Sequence, residues 1–287
     1  MSTTHDVRPQ AAAQTPPVPL TLEGYSVLHQ MMRFRRTEWR KLPPAEQTAI
    51  LAEAHAALDG WEKRGEGPSA LFSMLGHKAD LLLVHFRNSF AELNQAELAL
   101  ANLRLAEYLE ITTSYVSVIE LGLYESTAKI YKSLTERGIE PHTPEWDAGI
   151  RENMDRQREA MRPRLFPAIP PHRYVCFYPM DRKRGEEKNW YLVPFEERAR
   201  QMSEHGMIGR RYAGEVKQII SGSIGMDDWE WGVTLWAEDP VSFKKLIYEM
   251  RFDEVSAVYA LFGTFYVGLR CPAGQLGRYL AGEVPEI

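Results

Sequence analysis

The chain has 287 residues, 44% of them hydrophobic and 25% charged, and a formal net charge of -5. That length accommodates one large domain or two modest lobes with a sizeable core. The acidic balance argues against a nucleic-acid partner, which would want a broad basic face. The longest apolar runs, such as Leu81–Val84, are far too short to span a bilayer, and the opening MSTTHDVRPQ lacks the charged-then-apolar order of a secretory signal. A cytoplasmic protein with no stable membrane insertion is expected. Cys176 and Cys271 are the two cysteines, without CxxC or Cys/His ligand spacing, so both read as small buried hydrophobes rather than a disulfide or zinc framework.

Residues 1–20 are rich in Ala, Gln, Thr and Pro and are expected to form a flexible tail. Over residues 21–125 the pattern predicts a strand at Tyr25–Phe34, a helix opening at Pro43–Pro44 and closing at Gly65, and strands Ala70–Leu75 and Ala79–Phe86. A helix over Phe90–Tyr108 and an alternating strand Thr112–Leu121 complete this half. Residues 126–171 fit no strand pattern. They hold a charged helical run, PEWDAGIRENMDRQREAM, then the proline-rich PRLFPAIPP, and read as a surface connector.

Residues 172–287 repeat the first order: strand Arg173–Tyr178, helix Pro194–His205, strands Val216–Ser223 and Trp229–Ala237, helix Pro240–Met250, strand Phe262–Leu269. DLLLVHF followed by a helix from Ser89 parallels WEWGVTLWA followed by a helix from Pro240. The economical reading is α+β, two ferredoxin-like βαββαβ halves whose antiparallel sheets pack face to face to approximate a barrel. Trp190, Trp229, Trp231 and Trp236 are assigned to packing.

The stretch Tyr174–His205 holds the residues that could carry chemistry. Arg182, Lys183, Arg184 and Lys188 place four cations near Tyr178 in an acidic chain, which suits either a solvated loop or a local anionic ligand. Tyr178, at the expected strand end, is a sheet anchor or a redox phenol. His205, at the expected helix end before Gly206, is a surface or C-terminal cation, or the single axial ligand of a haem iron, since no second metal ligand is in sight. Arg251 is free to bind a carboxylate or to pair with Asp253 or Glu254. No GxGxxG, P-loop, HExxH or GxSxG occurs.

YPMDRKR with NWY following, then EHGMIGRRYAGEVKQIISGSIGMDDWEWGVTLWAEDP, then YEMRFDEVSA, together resemble the coproheme decarboxylases, or hydrogen-peroxide-dependent haem synthases, of the chlorite dismutase superfamily. The resemblance runs from about Tyr25 to the C-terminus and is strongest over Arg173–Gly268. It implies a dimeric α+β barrel whose C-terminal half binds haem, a homopentamer, and peroxide-dependent conversion of two propionates of Fe-coproporphyrin III (coproheme) to vinyls, giving haem b. Coproheme would be both substrate and redox centre, and a transient partner would be coproporphyrin ferrochelatase. By the same resemblance His205 matches the iron ligand, Tyr178 the tyrosine that becomes the radical, and Gln218 a distal-side glutamine. Arg251 and Ser256 match propionate-holding positions, and Arg164 and Tyr124 are carried over near the connector. Where many members have lysine two residues after the methionine of YPM, this chain has Arg182 with Lys183 next, and either could be the propionate cation. Chlorite dismutase activity and non-catalytic porphyrin binding are the alternatives.

Overall fold

The computed structural model describes residues 18–287, so the tail expected over residues 1–20 lies outside the described residues but for its last three. The chain begins β1 (Thr21–Phe34), a single turn α1 (Arg36–Trp39), α2 (Pro44–Glu62), β2 (Ser69–Met74), β3 (Leu81–Arg87), α3 (Phe90–Ala101) and β4 (Leu109–Gly122). Two helices follow, α4 (Tyr124–Glu136) and α5 (Pro144–Leu165). Then come β5 (Tyr174–Arg182), α6 (Phe195–Arg211), β6 (Val216–Gly222), β7 (Trp231–Ala237), α7 (Val241–Met250), α8 (Glu254–Tyr259), β8 (Ala260–Phe262), β9 (Tyr266–Arg270) and α9 (Leu276–Leu280).

Local chemistry sets most of these boundaries. Pro44 opens α2, where its fixed φ and missing N–H cost nothing. Ser89 caps α3 by accepting from Glu92 N at 3.2 Å, and Thr143 caps α5 by accepting from Trp146 N at 3.2 Å. Three expectations are corrected. The helix expected over Phe90–Tyr108 stops at Ala101 and a separate 3-10 turn spans Arg104–Tyr108, because the break lets Leu105 turn into the core beneath α2. The strand expected over Phe262–Leu269 divides at Gly263, whose N–H donates to Pro179 O, so that Phe265 faces Tyr178. Within the connector, α4 is a helix that the sequence reading left unassigned; its Ile130 and Leu134 pack with Trp146 of α5.

Each half is an antiparallel four-stranded sheet with helices on its outer face. The orders are β4-β1-β3-β2 and β6-β7-β5-β9, which are the same order by position in each half, traced in opposite senses. The halves join at two seams, β2–β9 through Phe72↔Arg270 to Met74↔Gly268 and β4–β6 through Val118↔Gly222 and Ile119↔Ser221. The β5–β7 pairing then closes the ring, leaving β8 appended to β5.

Inside the barrel, side chains of both halves interdigitate: Val27, Phe72 and Val84 from one meet Val175, Phe177 and Trp236 from the other. Fully burying Phe72 or Phe177 contributes about 2 kcal/mol each. Polar pins cross the same interior. His29 Nε2 and Thr234 Oγ1 are 2.9 Å apart, the His29 ring stacks on Phe177 at 4.1 Å, and Ser117 donates to Ser221 at 2.8 Å. Outside, α2 and α9 cover the first sheet, and α6 and α7 the second. Cys176 and Cys271 are buried free thiols. No helix among the described residues is long and apolar enough to cross a membrane.

Candidate functional site

Strand periodicity decides what lies between the second sheet and its helices. On β5, Cys176, Tyr178, Met180 and Arg182 share one face, opposite the barrel-facing Val175 and Phe177. Cross-strand register puts Tyr178 beside Val233 and Val233 beside Ile220, while Gln218 lies beside Leu235 and Leu235 beside Cys176. Tyr178 and Gln218 therefore belong to the same sheet face, one strand apart.

Against this face lies α6, whose acidic first turn (Glu196, Glu197) and basic last turn (Arg210, Arg211) both suit the helix dipole. Spacings of four, three and four residues align Arg198, Met202, His205 and Gly209 along one side. His205 is thus in mid-helix rather than at the helix end expected, six residues before Arg211. Gly206 does not stop the helix, and Gly209 serves close packing. A Cβ on Gly209 would lie 3.3 Å from Met250 Cε and 3.5 Å from Gln218 Nε2. Tyr178 is likewise interior to its strand, which continues four residues to Arg182.

His205 Nδ1 is 2.8 Å from Asp253 Oδ2, and Ser256 Oγ is 3.4 Å from the same nitrogen. Asp253 itself caps α8, Oδ1 accepting from Ser256 N at 2.8 Å and Oδ2 from Ser256 Oγ at 3.2 Å. Burial opposes ionisation of Asp253, but the hydrogen bonds from His205 and Ser256 outweigh it and hold the carboxyl below its ordinary value. A carboxylate fixed at Nδ1 leaves Nε2 as the imidazole's open ligating atom. Among the described residues no cluster of three or more His, Cys, Asp or Glu could hold a metal ion. A metal at His205 would have to bring its other ligands with it.

The inward cation is Arg182, 7% exposed, while Arg184 and Lys188 are exposed and Lys183 is half-buried. The Arg182 guanidinium lies 5.2 Å from the Trp190 ring, donates to Val255 O at 3.4 Å and contacts Met202 Sδ at 3.5 Å. It makes no ion pair with any carboxylate among the described residues; the nearby Glu230 instead accepts from the Arg182 backbone N–H at 2.8 Å and lies 3.5 Å from Arg184 Nε. Burial lowers the Arg182 pKa, with Tyr124 and Asp253 opposing. Arg198 joins this end of α6, its guanidinium 5.9 Å from the rings of Tyr124 and Phe195. The buried Arg182 guanidinium, without a carboxylate among the described residues, is chemically suited to an anionic group.

Tyr178 is 5% exposed, stacks on Phe265 at 4.5 Å, and has its phenol pushed up by burial, with Arg251 and Arg182 pulling the other way. Arg251 lies over Phe262 at 3.6 Å, and Phe262 is 5.7 Å from Tyr178. Neither carboxylate considered for Arg251 takes it, since Asp253 holds His205 and Glu254 pairs with Arg200 at 2.6 Å. Gln218 donates to Gly209 O at 3.2 Å.

Tyr178, Arg182, His205, Gln218, Arg251 and Ser256 therefore converge on the space between β5–β7 and α6–α8. Arg164 does not join them: it is exposed in the last turn of α5, which packs on β1, β4 and α4. Sequence reasoning missed Arg198 and the part of Asp253. Asp253 carried a usable signal, an N-cap residue opening a short apolar run, but its contact with His205 spans 48 positions.

The family described as Chlorite dismutase matches residues 35–271. A protein of Halobacterium salinarum, named provisionally for heme binding, is 44% identical over 268 residues, covering 92% of this chain and 51% of that protein. The chain thus spans about half the length of this curated relative. Among solved structures, a heme-binding protein from Thermus thermophilus superposes with a TM-score of 0.79 at 39% identity, over 93% of this chain and 99% of that one. A variant chlorite dismutase from Candidatus Nitrospira defluvii gives a TM-score of 0.67 at 18% identity, over 90% of this chain and 96% of its own, a likeness of fold alone. With the matched region covering most of both halves, the chain belongs to the chlorite dismutase family.

Proposed function

We propose that the protein binds ferric coproheme and, with hydrogen peroxide, decarboxylates two of its propionates to vinyls, yielding haem b. The observation that carries this reading is the shared side of α6, where His205 has Nδ1 held by Asp253 and Met202 touches the buried, carboxylate-free Arg182. An iron porphyrin supplies four nitrogen ligands of its own, so one imidazole completes the protein's share, and its propionates are the anions that Arg182 lacks. The relatives named for heme binding support the ligand class.

In this reading His205 Nε2 holds the iron, and Arg182, with Lys183 following it, and Arg251 hold propionates. Ser256 steadies Asp253 on the far side of the imidazole. The bound iron porphyrin supplies the two-electron reactivity with peroxide. Each turnover balances as one propionate, one peroxide and one proton giving one vinyl, carbon dioxide and two waters. Tyr178 would take a hydrogen atom from the propionate's β-carbon, the carbon that becomes part of the vinyl. Its raised pKa keeps the O–H intact at neutral pH, and its burial keeps bulk water from the site.

Gln218 supports this reaction over chlorite decomposition, which calls for a cationic side chain to manage the oxyanion. The test is incubation of the purified protein with ferric coproheme and stepwise peroxide, following pigment mass. Successive loss of two carboxyl groups is expected. Unchanged pigment would reduce the protein to a porphyrin binder, and rapid oxygen release from chlorite would replace the reading with a dismutase.

A further inference from the structure

At the end of the barrel where β1 finishes, the sequence RFRRTEWRK places five cations, Arg33, Arg35, Arg36, Arg40 and Lys41, against one acid, Glu38, in a chain of net charge -5. None of them belongs to the His205–Tyr178 site. Three of these arginines line a cleft of about 590 Å3, whose other wall is the β2–β3 turn with Gly76 and His77.

Both walls are fixed. Arg33 stands on β1, where it pairs with Glu110 of β4, and just past the strand Arg35 N donates to Tyr108 O at 2.8 Å before Arg36 opens α1. Gly76 adopts φ +84°, a turn conformation that side chains disfavour, and the turn is pinned by Met74 N donating to Asp80 O and Asp80 N to Met32 O, both 2.8 Å.

The two carboxylates in the lining are already committed. Asp80 accepts from Phe34 N at 2.8 Å and lies 3.7 Å from Arg36, while Glu38 pairs with Lys41 at 2.9 Å. What remains is unbalanced positive charge. Arg35 is exposed and has no side-chain hydrogen bond or ion pair among the described residues, and Arg33 reaches only the exposed Glu110 at 4.0 Å. The aromatic faces nearby are taken, since the Arg36 guanidinium sits 5.6 Å from the Phe34 ring centroid and 5.3 Å from that of Tyr279. Phe34, the one benzene ring in the lining, is buried under Arg36, and the only other ring there is the exposed imidazole of His77.

From these features we infer a second ligand site, in which the Arg33–Arg35–Arg36 cleft binds a small polyanion carrying two or more carboxylate or phosphate groups. Guanidinium forks match both oxyanions, and a volume of this size exceeds what one isolated phosphate fills. The site is independent of porphyrin binding.

Calorimetric titration of the full chain at about 0.15 M salt, with tripolyphosphate in one arm and citrate in the other, tests it. One site per chain is expected in at least one arm, and the arm that binds identifies the source as phosphate or carboxylate. The double variant Arg33→Ser/Arg35→Ser should weaken binding about tenfold or more. Arg35→Gln, which removes a side chain with no partner, should weaken it in the same direction with an unchanged melting temperature. Lys217→Ala, which removes an exposed cation of β6 outside both sites, should bind as the parent does. Absence of binding in both arms, parental affinity in the Arg33/Arg35 variants, or an equal loss in Lys217→Ala would overturn the assignment.

Discussion

Asp253 Oδ2 lies 2.8 Å from His205 Nδ1, a contact that fixes the imidazole's orientation from outside the sheet-facing space and leaves Nε2 as its open ligand atom. Asp253→Ala should lower affinity for ferric porphyrin about 10- to 100-fold, because Ser256 Oγ at 3.4 Å is a weaker substitute for the carboxylate. The reduction potential of the bound iron should also rise, as the imidazole becomes a poorer donor. Soret titration and spectroelectrochemistry measure the two effects. Parental values of both would mean that the carboxylate only caps α8.

Under the proposed function, Tyr178 is the residue that separates binding from chemistry. Its hydroxyl makes no hydrogen bond among the described residues, and its ring is held by stacking on Phe265. Tyr178→Phe should therefore leave the melting temperature and coproheme affinity near parental values, with stability changed by less than about 1 kcal/mol. Vinyl formation should fall at least 100-fold by the order of magnitude for losing a proton- or hydrogen-transferring group. Full turnover by this variant would remove Tyr178 from the reaction.

What the sequence made legible follows from what is local. The apolar runs of β3 and β7, each followed by a capped or proline-led helix, announced the duplicated βαββαβ unit because strand and helix periods are carried within about ten residues. The closing seams were not legible, since β2–β9 and β4–β6 each pair a strand of one half with a strand of the other, about a hundred or more residues away in sequence. Reading Gly206 as a helix stop misplaced His205, because tertiary packing overrides the local signal where α6 approaches β6 and α7 at Gly209. The alternation Cys176, Tyr178, Met180 extends naturally to Arg182. Ending the strand at Tyr178 hid the fact that the arginine shares the tyrosine's face.

Two buried histidines make stability depend on pH. His29, inside the barrel, has its pKa lowered from 6.5 to about 3 by burial, and His85, beneath Trp61, is lowered to about 3 by burial with the neighbouring Arg87 assisting. Below pH 6.5 the unfolded chain takes up protons that the folded chain refuses, so stability falls as pH drops and is complete only above that value. By about pH 5.5 the two together should cost about 2 to 3 kcal/mol relative to pH 7.5. Urea midpoints at the two pH values measure this. His29→Gln should flatten the dependence, and an unaltered slope in that variant would show that other groups set it.

The seam between the halves offers a sharper structural test. At Gly268 of β9, a Cβ would lie 2.5 Å from Ser73 O and 2.6 Å from Met74 Sδ, contacts no side chain makes without backbone movement. Met74 pairs with Gly268 in the last register position of β2–β9, and Leu75 N donates to Val267 O just beyond it. Gly268→Ala should therefore prise the two sheets apart locally and destabilise the fold by about 1 to 3 kcal/mol, the usual range for overpacking. Because β9 also pairs with β5 through Cys176↔Val267, the displacement should reach Tyr178 and weaken porphyrin binding as well. Gly274→Ala, where an added Cβ meets nothing within 4 Å, is the matched control and should behave as the parent in both assays. If Gly268→Ala melts with the parent and keeps its affinity, the close approach at this seam is not what holds the barrel closed.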